Sequence, residues 1–285
     1  MDGHAAALVI LYINTLFMPK MSPLRSCSSP VAANECGKSA PPLPPAVARA
    51  VWRGDELGHR MAGTRPTGWA ALDAELPAGG WPQQAVIEVL ATQPAVLEWR
   101  LLAPALRPVV EAGGQVVVIG PPRHPHLPGL QQVGLSERQF IWIQADLPAE
   151  RLWTTEQLIK SNAAGAILSW LPKARPEQLR RLQVCAQACD ALVFLCRPEA
   201  ARHESSASPL RIYASVGVDW ELNVRILKRR GPSHEDVLTL PSVPGGLVSV
   251  LTPRLRHPSR LILREAADVV GSPVGTPQHR QQAAA

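Results

Sequence analysis

Between residues 86 and 196 the chain alternates two kinds of apolar pattern. Val86–Leu90, Val116–Ile119, Phe140–Ile143, Ala166–Trp170 and Ala191–Cys196 are short runs, almost continuously apolar. Val96–Ala112, Leu127–Val133, Glu150–Asn162 and Pro176–Cys189 separate them and carry apolar residues at helical spacing. Continuous apolar strands mark a sheet covered on both faces, and strands that alternate with helices pair in parallel. After residue 210 the pattern changes. Leu210–Val216 and Trp220–Lys228 are closer to strict alternation, with Gly217-Val218-Asp219 between them. They predict an antiparallel hairpin at the sheet edge, ended by Gly231-Pro232. Upstream, Ala46–Leu57 (Val47, Val51, Trp52) and Thr67–Leu76 (Trp69, Leu72, Leu76) predict helices, the second leading into the glycine turn Pro77–Pro82. The fold class expected is α/β, a mostly parallel central sheet flanked by helices with an antiparallel edge hairpin.

Composition sets the boundaries of this body. The chain has 285 residues, 46% of them hydrophobic, enough for one sizeable core with tails. Its 29 prolines crowd Pro41–Pro45, Pro121–Pro128 and the C-terminal stretch, so tails and loops are expected there. The division expected is a leader outside the fold at 1–45, a helix and linker at 46–65, a core at 66–232 and a loop-rich tail at 233–285, with a short helix at Ser259–Val269. Ala5–Met18 is too short to span a bilayer and has no basic segment before it. No membrane association is expected, and the expected location is cytoplasmic. Gly37-Lys38-Ser39 resembles the end of a phosphate-binding loop, but Ala32 replaces the earlier glycine, no strand precedes it and prolines follow. The match is accidental.

Charge and cysteines change the picture little. A net charge of +6 permits an acidic partner without requiring one. Five cysteines, an odd number with no C-x-x-C, fit a reducing compartment. Cys185 and Cys189 stand four apart on a predicted helix, and apolar packing is expected of them rather than metal binding. No metal and no cofactor is expected.

At "PTGWAALDAELPAGGWPQQAVIEVL" the chain resembles the RecA/RadA recombinase core. There a Thr-Gly-x-x-x-Leu-Asp helix and a Gly-Gly turn lead into the strand before the P-loop. Thr67, Gly68, Leu72, Asp73, Gly79, Gly80 and Glu88 carry the likeness, and the later segments follow the same order over roughly residues 50–230. That resemblance implies four chemical positions, and all four are altered. The P-loop lysine and its hydroxyl neighbour fall on Leu97-Glu98 or Glu98-Trp99. The glutamate that activates water falls near Pro122, the Walker B aspartate on Ser169, and the glutamine that senses the γ-phosphate on Arg197. A triphosphate needs a glycine cradle of N–H groups, a lysine, and a hydroxyl plus carboxylate for Mg²⁺. A glutamate in the lysine's place opposes it, so no ATPase activity is expected. Trp99 and Trp170 flank the altered positions and are expected to fill the former nucleotide space.

Among RecA-like families without ATPase activity, the chain is most similar to the ImuA family. "WRGDEL" (Trp52–Leu57), Pro66–Pro82, "LLAPAL" (Leu101–Leu106), "SSASPLRI" (Ser205–Ile212) and "KRRG" (Lys228–Gly231) carry this likeness. It implies a non-catalytic role in SOS-induced translesion DNA synthesis, with ImuB and RecA as partners and an error-prone replicative-type DNA polymerase reached through ImuB. It also implies association with the nucleoid when DNA is damaged. The alternative is a SulA-like inhibitor of cell division acting on FtsZ. Direct contact with DNA or a partner is expected, if anywhere, from the mobile loop Arg197–Arg211 (Arg197, Arg202, Arg211) and from Lys228, Arg229 and Arg230; basic loops and strand ends are also common as solvated surface. His124 and His126 lack a third ligand or orienting carboxylate nearby, so no site is expected there.

Overall fold

The computed structural model describes residues 10–12, 63–132, 134–243 and 247–259. Its strands are β1 (Ile10–Tyr12), β2 (Thr64–Arg65), β3 (Trp81–Pro82), β4 (Val86–Ala91), β5 (Val116–Ile119), β6 (Phe140–Gln144), β7 (Ala166–Trp170), β8 (Leu192–Pro198), β9 (Leu210–Val216), β10 (Glu221–Lys228) and β11 (Val237–Pro241). The α-helices are α1 (Ala70–Glu75), α2 (Leu97–Glu111), α3 (Leu127–Gln132), α4 (Pro148–Ser161) and α5 (Pro176–Ala186). One sheet runs in the order β1-β6-β5-β7-β8-β4-β9-β10-β11, and β2 and β3 form a separate two-stranded sheet. Pairing is parallel from β1 through β9 and antiparallel across β9, β10 and β11. The chain is therefore α/β, as its apolar pattern predicts.

The period-two geometry of the strands splits the core into two layers. Ile87, Val89, Val116, Val118, Leu168, Phe194 and Ile212 face α1, α2 and α3 through Leu72, Leu101, Leu106 and Leu130. Val86, Val117, Ile119, Ile167, Val193 and Leu195 face α4 and α5 through Ile159, Leu179 and Leu182. Cys189 and Cys185 pack into this second layer. β4 lies deep enough that all six of its residues are buried.

Three features differ from the sequence expectation. The sheet continues beyond residue 232, because β11 pairs with β10 from Glu221↔Pro241 to Arg225↔Val237. Arg100 of α2 secures that edge by donating to the carbonyl oxygens of Trp220 (2.7 Å) and Ser242 (2.6 Å). Ile10–Tyr12, within the stretch expected to lie outside the fold, pairs with Trp142–Gln144 of β6. The helix expected over Thr67–Leu76 begins at Ala70, because Thr67 and Gly68 form its entry turn. Thr67 N donates to Asp73 Oδ1 (2.9 Å) and Trp69 N to Thr67 Oγ1 (3.0 Å). Gly68 has φ +83°, and a Cβ there would stand 2.4 Å from Pro104 Cβ of α2. The Thr-Gly pair thus serves close packing. The helices expected at Ala46–Leu57 and over most of Ser259–Val269 lie outside the described residues.

Candidate functional site

The turn from β4 into α2 is the position that the sequence resemblance assigns to the P-loop. It contains Thr92, Gln93, Pro94, Ala95 and Val96. Ala95 takes φ +62°, and the first residue before α2, Val96, offers no side-chain cap. The head of a helix carries unpaired N–H groups and partial positive charge. Here the chain places its own carboxyl group: Glu98, in the first turn of α2, is fully buried.

Glu98 Oε1 accepts from Trp170 Nε1 at 3.1 Å, while Oε2 has no hydrogen-bond partner of ordinary geometry. Burial raises the Glu98 pKa above the ordinary carboxyl range; the backbone N–H groups of Glu98, Ala95 and Val96 and the Trp170 indole oppose that shift without cancelling it. Beneath it, burial and then the Glu98 charge push the Cys196 thiol well up. Trp170 lies against Glu98, and Trp99 packs beside Trp170. The Trp99 and Trp170 rings are 5.8 Å apart, and Trp99 and Phe140 are 6.0 Å apart. Trp170 is buried and Trp99 half-buried.

The remaining altered positions do not converge here. Leu97 is buried in the first core layer. Ser169 points to the opposite face of the sheet from Trp170, where its hydroxyl is 2.7 Å from Thr155 Oγ1. The strand pleat decides this: Trp170, one residue on, is the residue that reaches Glu98. Pro122 is exposed in the turn after β5. Arg197, at the end of β8, also lies on the second face.

That second face holds a buried charge cluster around Glu88 of β4. Arg211 Nε donates to Glu88 Oε2 at 2.8 Å, and Arg197 Nη1 is 3.8 Å from the same oxygen. Ser206 donates to Glu88 Oε1 through a short hydrogen bond. Arg197 Nη2 also reaches Glu204 (2.6 Å) and the Ala174 carbonyl oxygen (3.1 Å). Arg211 donates to the carbonyl oxygens of Ala201 (2.7 Å) and Glu204 (3.0 Å). Ser208 Oγ bonds Val86 O at 2.6 Å.

These bonds correct two expectations. Arg197 and Arg211 were expected to be available to phosphates or a partner; both are buried and committed to Glu88 and its covering carbonyls. The 197–211 segment, expected to be a mobile loop, is tied down along its length by its bonds to Glu88, Arg197 and Arg211. A turn of 3-10 helix (Glu199–His203) and the serine-rich stretch lie over this part of the sheet face.

The other basic candidates are more exposed. Arg202 stacks over the Tyr213 ring at 4.7 Å and meets Glu199 at 3.5 Å. Lys228 Nζ donates to Ser206 O at 2.9 Å. Arg229 binds the carbonyl oxygen of Glu75 through a short hydrogen bond, securing the end of α1. Arg230 is exposed and has no partner among the described residues. His126 Nδ1 accepts from Gly129 N (3.1 Å), capping α3, and His124 meets the Trp142 ring edge-on at 4.8 Å.

Among the described residues no helix is long and apolar enough to cross a membrane. Sequence reasoning named Glu88 only as part of a motif and missed its pairing, since Arg197 and Arg211 lie more than a hundred residues away. A charged residue inside an apolar strand was the available signal. Comparison of the chain with protein-family models and with curated proteins finds no match to either.

Proposed function

We propose that this protein is a non-catalytic accessory factor of damage-induced translesion DNA synthesis. It works by protein–protein contact with ImuB and RecA, and through ImuB with an error-prone replicative-type polymerase, in the cytoplasm and at the nucleoid after damage. The partners come from the sequence resemblance. The observation that carries the non-catalytic half is Glu98 at the head of α2, buried and bonded to Trp170 where a triphosphate would require open N–H groups and a lysine. A phosphate entering there would meet a carboxyl group and two indoles. The strand–turn–helix unit is kept for a separate reason: β4 and α2 form the middle of the first core layer, so their loss would remove the fold itself.

Immobilised full-length protein offered ImuB, RecA and FtsZ separately tests the reading. Retention of ImuB and RecA but not FtsZ is the expected result. Retention of FtsZ alone, with inhibition of its polymerisation, replaces the reading with the division-inhibitor one. Micromolar binding of labelled ATP would overturn the non-catalytic assignment.

A further inference from the structure

On the face covered by α4 and α5, a cavity of about 320 Å³ opens between the first turns of these two helices. Arg151, Lys173 and Arg175 line it together with Leu152, Leu171 and Gln178, and no carboxylate does. Other basic side chains on this face have a counter-charge: Arg197 and Arg211 meet Glu88, while Lys160 and Arg181 meet Glu156. Arg151, Lys173 and Arg175 form no ion pair among the described residues. The nearest acidic residue in α4, Glu150, is turned away to accept from Leu147 N at 3.3 Å.

The cavity is a built feature of the fold. Arg151 Nε donates to Ala145 O at 2.7 Å, which fixes the side chain across the end of β5; a Cβ on Gly120 would come within 2.5 Å of it. Behind the wall, the buried Arg197 holds the carbonyl oxygens of Leu171 (3.4 Å) and Ala174 (3.1 Å). The site also lies beyond the carboxyl ends of neighbouring β5 and β7. It is lined by the connections that follow β6 and β7, both of which run to the face of α4 and α5. The first turns of α4 and α5 add the partial positive charge of their N–H groups. Three cations without an ion pair around one cavity fit an anion.

We propose that this cavity binds a small phosphate-bearing anion, held by Lys173, Arg175 and the outer guanidinium nitrogens of Arg151. A volume near the lower end of small-molecule sites (about 300–1,000 Å³) favours a phosphate or pyrophosphate group over a bulky ligand. The site is separate from the closed head of α2, and the proposal goes beyond the accessory-factor reading.

Calorimetric titration of the full-length protein with inorganic pyrophosphate at fixed ionic strength tests it, beside Lys173→Glu and Arg175→Glu. Both residues are exposed and neither side chain makes a hydrogen bond, so both variants should keep the parent's Tm and circular dichroism. The expected result is saturable 1:1 binding, weakened by about tenfold or more in each variant. Arg180→Glu, an exposed charge on α5 that does not line the cavity, should leave affinity unchanged. Absence of saturation by about 10 mM, or equal weakening by Arg180→Glu, overturns the proposal. So does an oligodeoxythymidylate that binds and loses affinity in the same variants while pyrophosphate does not bind, since the basic residues would then be a nucleic-acid contact.

Discussion

Replacing Glu88 by Gln keeps the side chain's shape but removes the negative charge shared by two arginines. In the native chain the Glu88 carboxylate is fully buried, 2.8 Å from Arg211 Nε and 3.8 Å from Arg197 Nη1, and Nη1 has no hydrogen-bond partner of its own. Coulomb energies at these distances depend too strongly on local dielectric to be summed. The useful measure is the cost of breaking a buried ion pair from one side, about 3–5 kcal/mol, because the orphaned charge cannot reach water. Two guanidinium groups are affected, although Arg197 retains Glu204 and Arg211 retains two carbonyl oxygens. At about 2–4 °C per kcal/mol for a body of this size, Tm should fall by about 6–20 °C. Thermal melts and urea titrations followed by circular dichroism read both quantities. An unchanged m-value would locate the effect in stability rather than in compactness. Combining Glu88→Leu with Arg211→Met should recover part of the loss, because one uncompensated charge leaves with its partner. A Glu88→Gln loss below about 1 kcal/mol, the level of an exposed ion pair, would refute the view that this cluster holds the 197–211 cover in place.

Two further substitutions probe the closed head of α2. The folded state holds the Glu98 proton to higher pH than the unfolded chain does, so its contribution to stability is fully present at low pH and is lost as pH rises from the ordinary value of 4.5 through the raised one. Glu98→Met removes that loss: its Tm should gain on the parent as pH increases across this window, and a pH-independent Tm difference would show that Glu98 titrates like a solvated carboxyl. Trp170→Ala removes a buried indole that packs at a tilt against Trp99 and donates to Glu98. Its cost should be about 3–5 kcal/mol by urea titration, and a loss under about 1 kcal/mol would mean that the neighbouring rings collapse into the gap.

The apolar pattern by itself determined much of this protein. Val86–Leu90 and Ala166–Trp170 could be read as buried parallel strands because continuous apolar runs suit two covered faces, and the alternation of Trp220–Lys228 suited an antiparallel strand, although β11 and not β10 forms the edge. The lack of a Gly-Lys-Ser/Thr end at the β4–α2 turn was also legible, since it is a matter of residue identity alone. Tertiary structure decided where side chains point and what they meet. The pleat sends Ser169 to one face and Trp170 to the other, so a one-residue ambiguity in sequence becomes a change of layer. Arg197 and Arg211 look like surface cations in a polar stretch; parallel register brings Arg211 beside Glu88 and Arg197 beside Leu90, and both become interior. Strand β11 sits among polar and proline-rich residues with only partial burial, so local periodicity was too weak to reveal it. Arg151, Lys173 and Arg175 converge because two helices begin side by side at one end of the sheet. Periodicity reports each segment's relation to its own axis; neighbours that meet through chain reversal carry no local signal.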